Sequence, residues 1–332
     1  MCGRTACTLA PDVICRACTY KNGTSGEYQQ PTWQDHPPSS DGTTPYTYYP
    51  SANIAPTRFT PVMYKTSNAS SSNNNTQQNN QESSTNKIVV QPMMFGMIPV
   101  YHKGEAKSHG LSTNNARIEG ILDSRLYKPV LNKRQLCVIV AQGFYEWKTV
   151  GATSGAKKQP YLIFAHQDAN VKVADATSWT NGKWSPAKGW TGPKILKMAG
   201  LYDVWTSPKG DKVYSYTIIT MASNKTMSWL HDRMPAILES NEQVMGWLNA
   251  SLEMDTKELL SILKPATALE WYMVDSKVGN SRCRDMDCME PIDPKKGSKG
   301  SSFMDKWLKK PDKRKKDDDE FATPAQQPKL EK

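Results

Sequence analysis

Apolar positions in this chain fall mainly in short runs rich in β-branched and aromatic residues, the pattern of strands rather than of long amphipathic helices. Leu136–Trp147 (LCVIVAQGFYEW), Tyr161–Ala165, Leu196–Trp205, Val213–Thr220 (VYSYTIIT) and Glu270–Val274 predict strands. Met93–Val100 (MMFGMIPV) is an apolar stretch with its own turn. Helical signals are few. One helix is expected over Glu242–Ala250, capped by Ser240 or Asn241. Another is expected over Thr256–Leu263, opened by Asp255 with Glu258 at capping-box spacing. A third is expected near Asp12–Thr19, where Pro11 suits a first turn. No internal repeat is visible. Many strands and few helices predict an α+β domain built on a mostly antiparallel, curled or barrel-like sheet with a few flanking helices.

Three segments break this pattern. Residues 66–86 form a Ser/Asn/Gln tract with almost nothing to bury, read as a disordered insertion in a surface loop. Gly151–Lys158 lies between two strand-like runs and reads as a hairpin loop. From 293 to 332 the chain is a charged tail, expected to be disordered, so the domain is expected to span 2–292.

Composition changes the picture only modestly. The 332 residues suffice for a well-buried core. Lys and Arg number 42 against 32 Asp and Glu, a formal net charge of +10, which favours polyanionic partners with nucleic acid first. No window reaches the apolar run of about 20 residues that a transmembrane helix needs, and no apolar signal core opens the chain. An intracellular protein without a membrane partner is therefore expected. Its seven cysteines are then free thiols rather than a disulfide framework.

Candidate chemistry begins at the second residue. Removal of Met1 would leave Cys2 at the terminus. Such a cysteine carries an α-amine that titrates near ~7.7–8.0 beside a thiol near ~8.5. The amine can form a Schiff base with an aldehyde, and the thiol can then close a five-membered thiazolidine. An internal cysteine cannot, because its nitrogen is an amide. Three further segments concentrate reactive side chains: Ser112–Glu119 (STNNARIE), Gly143–Trp147 (GFYEW) and Leu230–Pro235 (LHDRMP). Singly, a glutamate between aromatics is most often a salt-bridged strand residue, and His231 beside Asp232 is often a solvated turn.

Taken in order, these segments resemble the SRAP family, whose members sense and crosslink abasic sites in single-stranded DNA. The resemblance rests on Met1-Cys2-Gly3-Arg4, Asn53-Ile54-Ala55-Pro56, Phe95-Gly96-Met97-Ile98-Pro99, Asn115-Ala116-Arg117, GFYEW and His231-Asp232-Arg233-Met234-Pro235 with Ala236-Ile237-Leu238. It covers about Cys2 to Ile292 and is nearest to eukaryotic members through MCGRTAC, KMAG at Lys197–Gly200, YSYTIIT and RMPAIL. It implies the SRAP fold, a lesion-crosslinking and lyase-type activity with Cys2 as nucleophile, reversal of the crosslink, and autocatalytic thiol-peptidase processing that exposes Cys2. Glu146 would move protons at the amine, and His231 would protonate the sugar-ring oxygen. Asn115 would hydrogen-bond the substrate or hold Cys2. Arg117 would bind the adjoining phosphate and Arg4 a second one. Phe95 would stack on a base, along with Tyr101 and Trp147. Phe95 stands where the family usually has tryptophan, which makes that contact smaller. No cofactor and no metal is implied, and a monomer is expected.

Other readings compete. Glutamine amidotransferases of the N-terminal nucleophile type also begin Met-Cys-Gly, but they favour an aliphatic residue where Arg4 stands. Cys15-Arg16-Ala17-Cys18 with Cys283 and Cys288 could supply four zinc thiolates, against buried free cysteines as the plainer account. In the tail, Ser302–Lys309 (SFMDKWLK) is an apolar cluster expected to fold on a partner, which the resemblance makes the replication sliding clamp. The basic run Lys309–Lys316 reads as a nuclear localisation signal or as a solvated charged tail, so a nuclear location is expected, with the cytoplasm as an additional one.

Overall fold

A computed structural model describes residues 3–293 apart from Asn22, Thr24, residues 67–86, residues 152–156 and Asn170. Cys2, the insertion and the tail thus lie outside the described residues, save for Thr66 and Asp293 at their edges. The chain divides into two units, Met1–Asp293 and Pro294–Lys332.

In chain order the strands are β1 (Thr5–Cys7), β2 (Tyr20–Lys21), β3 (Tyr28–Gln29), β4 (Thr32–Trp33), β5 (Ser51–Ile54), β6 (Phe59–Lys65), β7 (Ile88–Phe95), β8 (Asn115–Arg117), β9 (Leu136–Ala141), β10 (Gly143–Val150), β11 (Lys157–Ala165), β12 (Trp184–Ser185), β13 (Gly189–Trp190), β14 (Leu196–Thr206), β15 (Lys212–Ala222), β16 (Arg233–Pro235) and β17 (Leu269–Met273). The α-helices are α1 (Pro11–Ala17), α2 (Tyr127–Asn132), α3 (Ala176–Thr180), α4 (Asn241–Leu248) and α5 (Thr256–Ser261).

Two sheets carry the architecture. In the larger, β15 pairs β14, β14 pairs β9, β9 pairs β6, β6 pairs β7, and β7 returns to β15, so five strands close into a barrel. The closing β7–β15 pair is parallel, with Ser215 opposite Met94, and the other four pairs are antiparallel. Closure removes sheet edges that would otherwise need covering. Pro92 sits on β7 in the gap between the residues that pair β4 (Val89, Val90) and those that pair β15 (Met94, Phe95), where a missing N–H costs least. Gly96 then turns the chain with φ at 111°, a conformation open to glycine, and its N–H bonds Tyr216 O at 3.0 Å. The smaller sheet runs β17-β11-β10-β1-β5 and is antiparallel throughout. A curled, barrel-like, mostly antiparallel sheet with a few flanking helices is therefore what the chain forms.

The long run Leu136–Trp147 is two strands in two sheets. The break is Gln142, buried and fully engaged: its N–H bonds Ala6 O, its Oε1 accepts from the Thr8 amide and hydroxyl, and its Nε2 donates to Val173 O. Gly143 follows because a Cβ there would lie 2.7 Å from Ile163 O. The helix starts follow the predicted chemistry. Ser240 makes a reciprocal capping box with Gln243, the Asp255 side chain accepts from the amides of Lys257 and Glu258, and Pro11 occupies the first turn of α1. Of the predicted hairpin loop Gly151–Lys158, Lys157 and Lys158 are instead strand residues of β11, paired with Val150 and Thr149, and Gly151 follows β10. Among the described residues, no helix is long and apolar enough to cross a membrane.

Candidate functional site

Glu146 is set by pairing on both sides of β10. Across β11 it faces Tyr161. On the other side Thr5 faces Phe144 and the Tyr145 amide bonds Arg4 O at 2.9 Å, so the register brings Gly3 opposite Glu146. Glu146 is 4 % exposed. It therefore stands beside the path by which the chain leads back to Cys2, which itself lies outside the described residues.

His231 reaches the same place from the far end of β15. The segment Ser223–Asp232 is closed on itself: the Ser223 amide bonds Asp232 O at 2.9 Å and its hydroxyl bonds His231 O at 2.7 Å. Trp229 anchors this loop on the small sheet, edge-on to Tyr161 at 5.0 Å and tilted against Trp271 at 5.2 Å, with the Lys148 ammonium 4.9 Å above its ring. Tyr161 is the residue paired with Glu146, so one aromatic contact brings the His231 loop over the carboxylate. Glu146, Trp147, Lys148, Lys158, Trp229, His231, Asp232 and Gly279 line a single cleft of about 780 Å³.

Two neighbours make opposite demands on the His231 Nδ1. The Arg233 amide donates to it at 3.0 Å, which requires a lone pair there. The Asp232 carboxylate lies 2.8 Å away, which requires a proton. The first suits a ring with its proton on Nε2 and the second a ring with a proton on Nδ1, so the two neighbours favour different tautomers.

Asn115 and Arg117 come in on β8, which lies parallel to β15 with Asn115 opposite Ile218 and Arg117 opposite Thr220. On the other flank β16 places Pro235 opposite Thr220. Arg233 ties the two flanks. Its guanidinium grips Glu119 through two bonds of 2.7 and 2.8 Å and donates to Thr220 O at 2.8 Å. These bonds hold the Glu119 carboxyl below its usual range. Arg233 braces the strands beside His231, a role that reading the LHDRMP segment for reactive groups passed over. Trp229, Lys148 and Lys158 were missed for lack of any local signal.

Phe95 is not brought to the site. It is 0 % exposed and stacks flat on Tyr216 at 5.3 Å inside the molecule, so the expected base platform is a core residue. Trp147 does line the cleft, and Tyr101 is exposed elsewhere on the surface. Arg4 is half-buried, and burial lowers its pKa from the usual arginine value. Its guanidinium donates to Asn53 Oδ1 at 2.9 Å, Val278 O at 2.8 Å and Gly279 O at 3.2 Å, so Nη1 already holds two protein acceptors. Cys15 and Cys18 are buried on and after α1, whereas Cys283 and Cys288 stand together with sulfurs 3.4 Å apart. Among the described residues, no group of three or more His, Cys, Asp or Glu side chains is placed to hold a metal.

Residues 1–281 match the SOS response associated peptidase (SRAP) family. The chain belongs to the SRAP family. It is 35 % identical over 331 residues to a Xenopus tropicalis protein named abasic site processing protein HMCES, covering 98 % of this chain and 90 % of that one. A Rattus norvegicus protein of the same name is 33 % identical over 314 residues, covering 93 % and 82 %. Among solved structures, a Bacteroides thetaiotaomicron protein superimposes with a TM-score of 0.56 at 18 % identity, covering 88 % of this chain and all of that one, which establishes a shared fold.

Proposed function

We propose that this SRAP protein senses abasic sites in single-stranded DNA and captures them covalently through Cys2. The observation that carries the reading is buried Glu146 beside the N-terminal strand, sharing its cleft with His231. The names of the relatives, abasic site processing proteins, point to the same lesion.

An abasic deoxyribose opens to an aldehyde as the ring oxygen takes a proton and the anomeric hydroxyl gives one up, a proton transfer suited to His231 in the cleft. The Cys2 amine adds to the aldehyde carbon and one water leaves, giving the imine. The thiol then adds across the imine carbon, its proton passing to nitrogen, and a thiazolidine closes. Glu146 accepts the amine proton during addition and returns it to the departing hydroxyl. The same proton transfers in reverse, with one water taken up, open the ring and release the aldehyde, so self-reversal draws on the same groups; lyase activity and hydrolytic removal of whatever precedes Cys2 are separate reactions that also use Cys2 as nucleophile. Asn115 hydrogen-bonds the substrate or Cys2, and Arg117 binds a neighbouring phosphate. A single strand is preferred because the sugar is reached without unstacking a duplex. Capture of this kind shields the lesion during replication and repair. The protein acts as a monomer, Ser302–Lys309 engages a replication sliding clamp, and the basic run Lys309–Lys316 directs the chain to the nucleus.

Mixing the mature protein with a single-stranded oligonucleotide bearing one abasic site and running a denaturing gel tests the reading. Wild type yields a shifted band, and Cys2→Ala and a form retaining Met1 do not. His231→Ala slows capture of the closed-ring lesion. No shift with the wild type after confirmed Met1 removal sinks the proposal. Deleting residues 302–309 removes clamp binding; retained binding ends that part of it.

A further inference from the structure

The Asn53-Ile54-Ala55-Pro56 segment has no part in the chemistry above, yet its first residue is among the most heavily engaged polar side chains near the N-terminus. Asn53 is 2 % exposed on β5. Its Oδ1 accepts from Arg4 Nη1 at 2.9 Å. Its Nδ2 faces three main-chain carbonyls, Val278 O at 3.0 Å, Asn280 O at 3.0 Å and Cys283 O at 2.8 Å. Arg4 closes the circuit by donating to Val278 O and Gly279 O. One carboxamide thus joins three stretches distant in sequence: the N-terminal segment, β5 and the 278–283 turn.

The turn is also part of the cleft, because Gly279 lines it together with Glu146 and His231. Strand β1 begins only at Thr5. Ahead of it, Arg4 O has the Tyr145 amide at 2.9 Å as a main-chain partner. Chain ends fray readily unless they are tied down. The Arg4 side chain, clamped by Asn53 and the turn through three hydrogen bonds, is such a tie. We propose that Asn53 is a positioning residue for the Cys2 nucleophile: through Arg4 it fixes the residues from which Cys2 extends, relative to the wall that carries Glu146 and His231. This rests on the capture reading above. It also gives Arg4 a different task from the phosphate ligand expected from the sequence.

The role follows from what a bimolecular capture needs. A nucleophile on a frayed end samples many positions, and small misplacements of reacting atoms cost about 10²-fold in rate. Positioning of this kind affects the maximal rate and leaves affinity for the lesion strand alone. A phosphate ligand does the reverse: its loss weakens binding and lowers the salt slope by about one.

The test compares wild type, Asn53→Asp and Arg4→Met as full chains, each checked for native far-UV circular dichroism and melting. Asn53→Asp keeps an acceptor for Arg4 and removes the donors to the turn. Crosslinking rates are measured against concentration of abasic single-stranded DNA at several salt concentrations. In parallel, the rate of condensation with 2-cyanobenzothiazole, which reacts with a terminal cysteine's amine and thiol, reports freedom of the N-terminus without DNA. Both variants should lose about 10²-fold in maximal crosslinking rate, keep the half-saturating DNA concentration and salt slope, and condense faster with the probe than wild type. A probe rate equal to wild type overturns the proposal. So does an Arg4→Met variant that loses affinity and salt slope while keeping its maximal rate. If wild type fails to crosslink at all, the capture reading fails instead, and the probe comparison still decides whether Asn53 holds the terminus.

Discussion

The closed ring of β6, β7, β9, β14 and β15 is crowded with apolar side chains out of solvent, among them Val62, Met63, Val138, Ile139 and Ile218. The Glu146–His231 cleft, at the end of the smaller sheet, mixes one buried carboxylate with a partly exposed ring, two lysines and an exposed aspartate. In the ring, many interchangeable contacts share the work and any one fills space. In the cleft, the proposed capture chemistry gives Glu146 and His231 separate tasks. Packing and chemistry are thus separated in space, and substitutions should separate them too.

The largest expected effect on the packing side is at Trp247 of α4, fully buried with its indole N–H donating to Cys137 O on β9 at 3.0 Å. Trp247→Ala should cost about 3–5 kcal/mol in denaturant unfolding, while protein that remains folded crosslinks at the wild-type rate. The mirror image is Glu146→Gln. It should leave unfolding nearly unchanged and slow crosslinking by about 10²–10⁴-fold, the usual worth of a positioned acid or base. If each substitution moved both quantities equally, the separation would be false.

Gly200 sharpens the packing side. A Cβ there would sit 2.3 Å from the Ile139 methyl and 2.5 Å from Thr217 O, a backbone atom that cannot swing aside. Gly200→Ala should therefore destabilise by about 1–3 kcal/mol, again without changing the crosslinking rate of the folded fraction.

The smallest effect is one of pH. His36 is 5 % exposed, with Nδ1 on Pro37 O at 2.8 Å and Nε2 accepting from the Tyr214 amide at 3.1 Å, a neutral tautomer. Burial lowers its pKa. Above the unfolded value of about 6.5 the ring is neutral in both states. As pH falls from there, the unfolded chain takes the proton first, so stability drops until the folded pKa is passed. Unfolding free energy measured from pH 7 to pH 5 should fall, and His36→Gln should flatten that fall. An equal slope in both proteins would remove His36 from the account.

Local signals were legible where the physics is local. The caps at Ser240 and Asp255 and the Pro11 start follow from hydrogen bonds within one turn of helix. The strand runs follow from side-chain type. What stayed hidden depends on distant partners. Leu136–Trp147 reads as one strand because nothing in an apolar run tells that Gln142 will bond Ala6 and Thr8 and pass the chain from one sheet to the other. Parallel pairing of β8 and β7 with β15 has no local signature. Phe95 looks like any recognition aromatic until its burial against Tyr216 is seen. Glu146 and His231 were visible as motif residues, whereas the cleft that joins them depends on Trp229 meeting Tyr161 across 68 positions of chain, 229 less 161.

The most direct test of capture through Cys2 is mass spectrometry of the adduct with abasic single-stranded DNA after nuclease and protease digestion. The account predicts a sugar remnant on the peptide that begins at Cys2, its mass the sum of the two parts less one water, with a thiol that no longer takes up an alkylating reagent. A remnant on another residue, or a Cys2 thiol that still alkylates freely in the adduct, would contradict it.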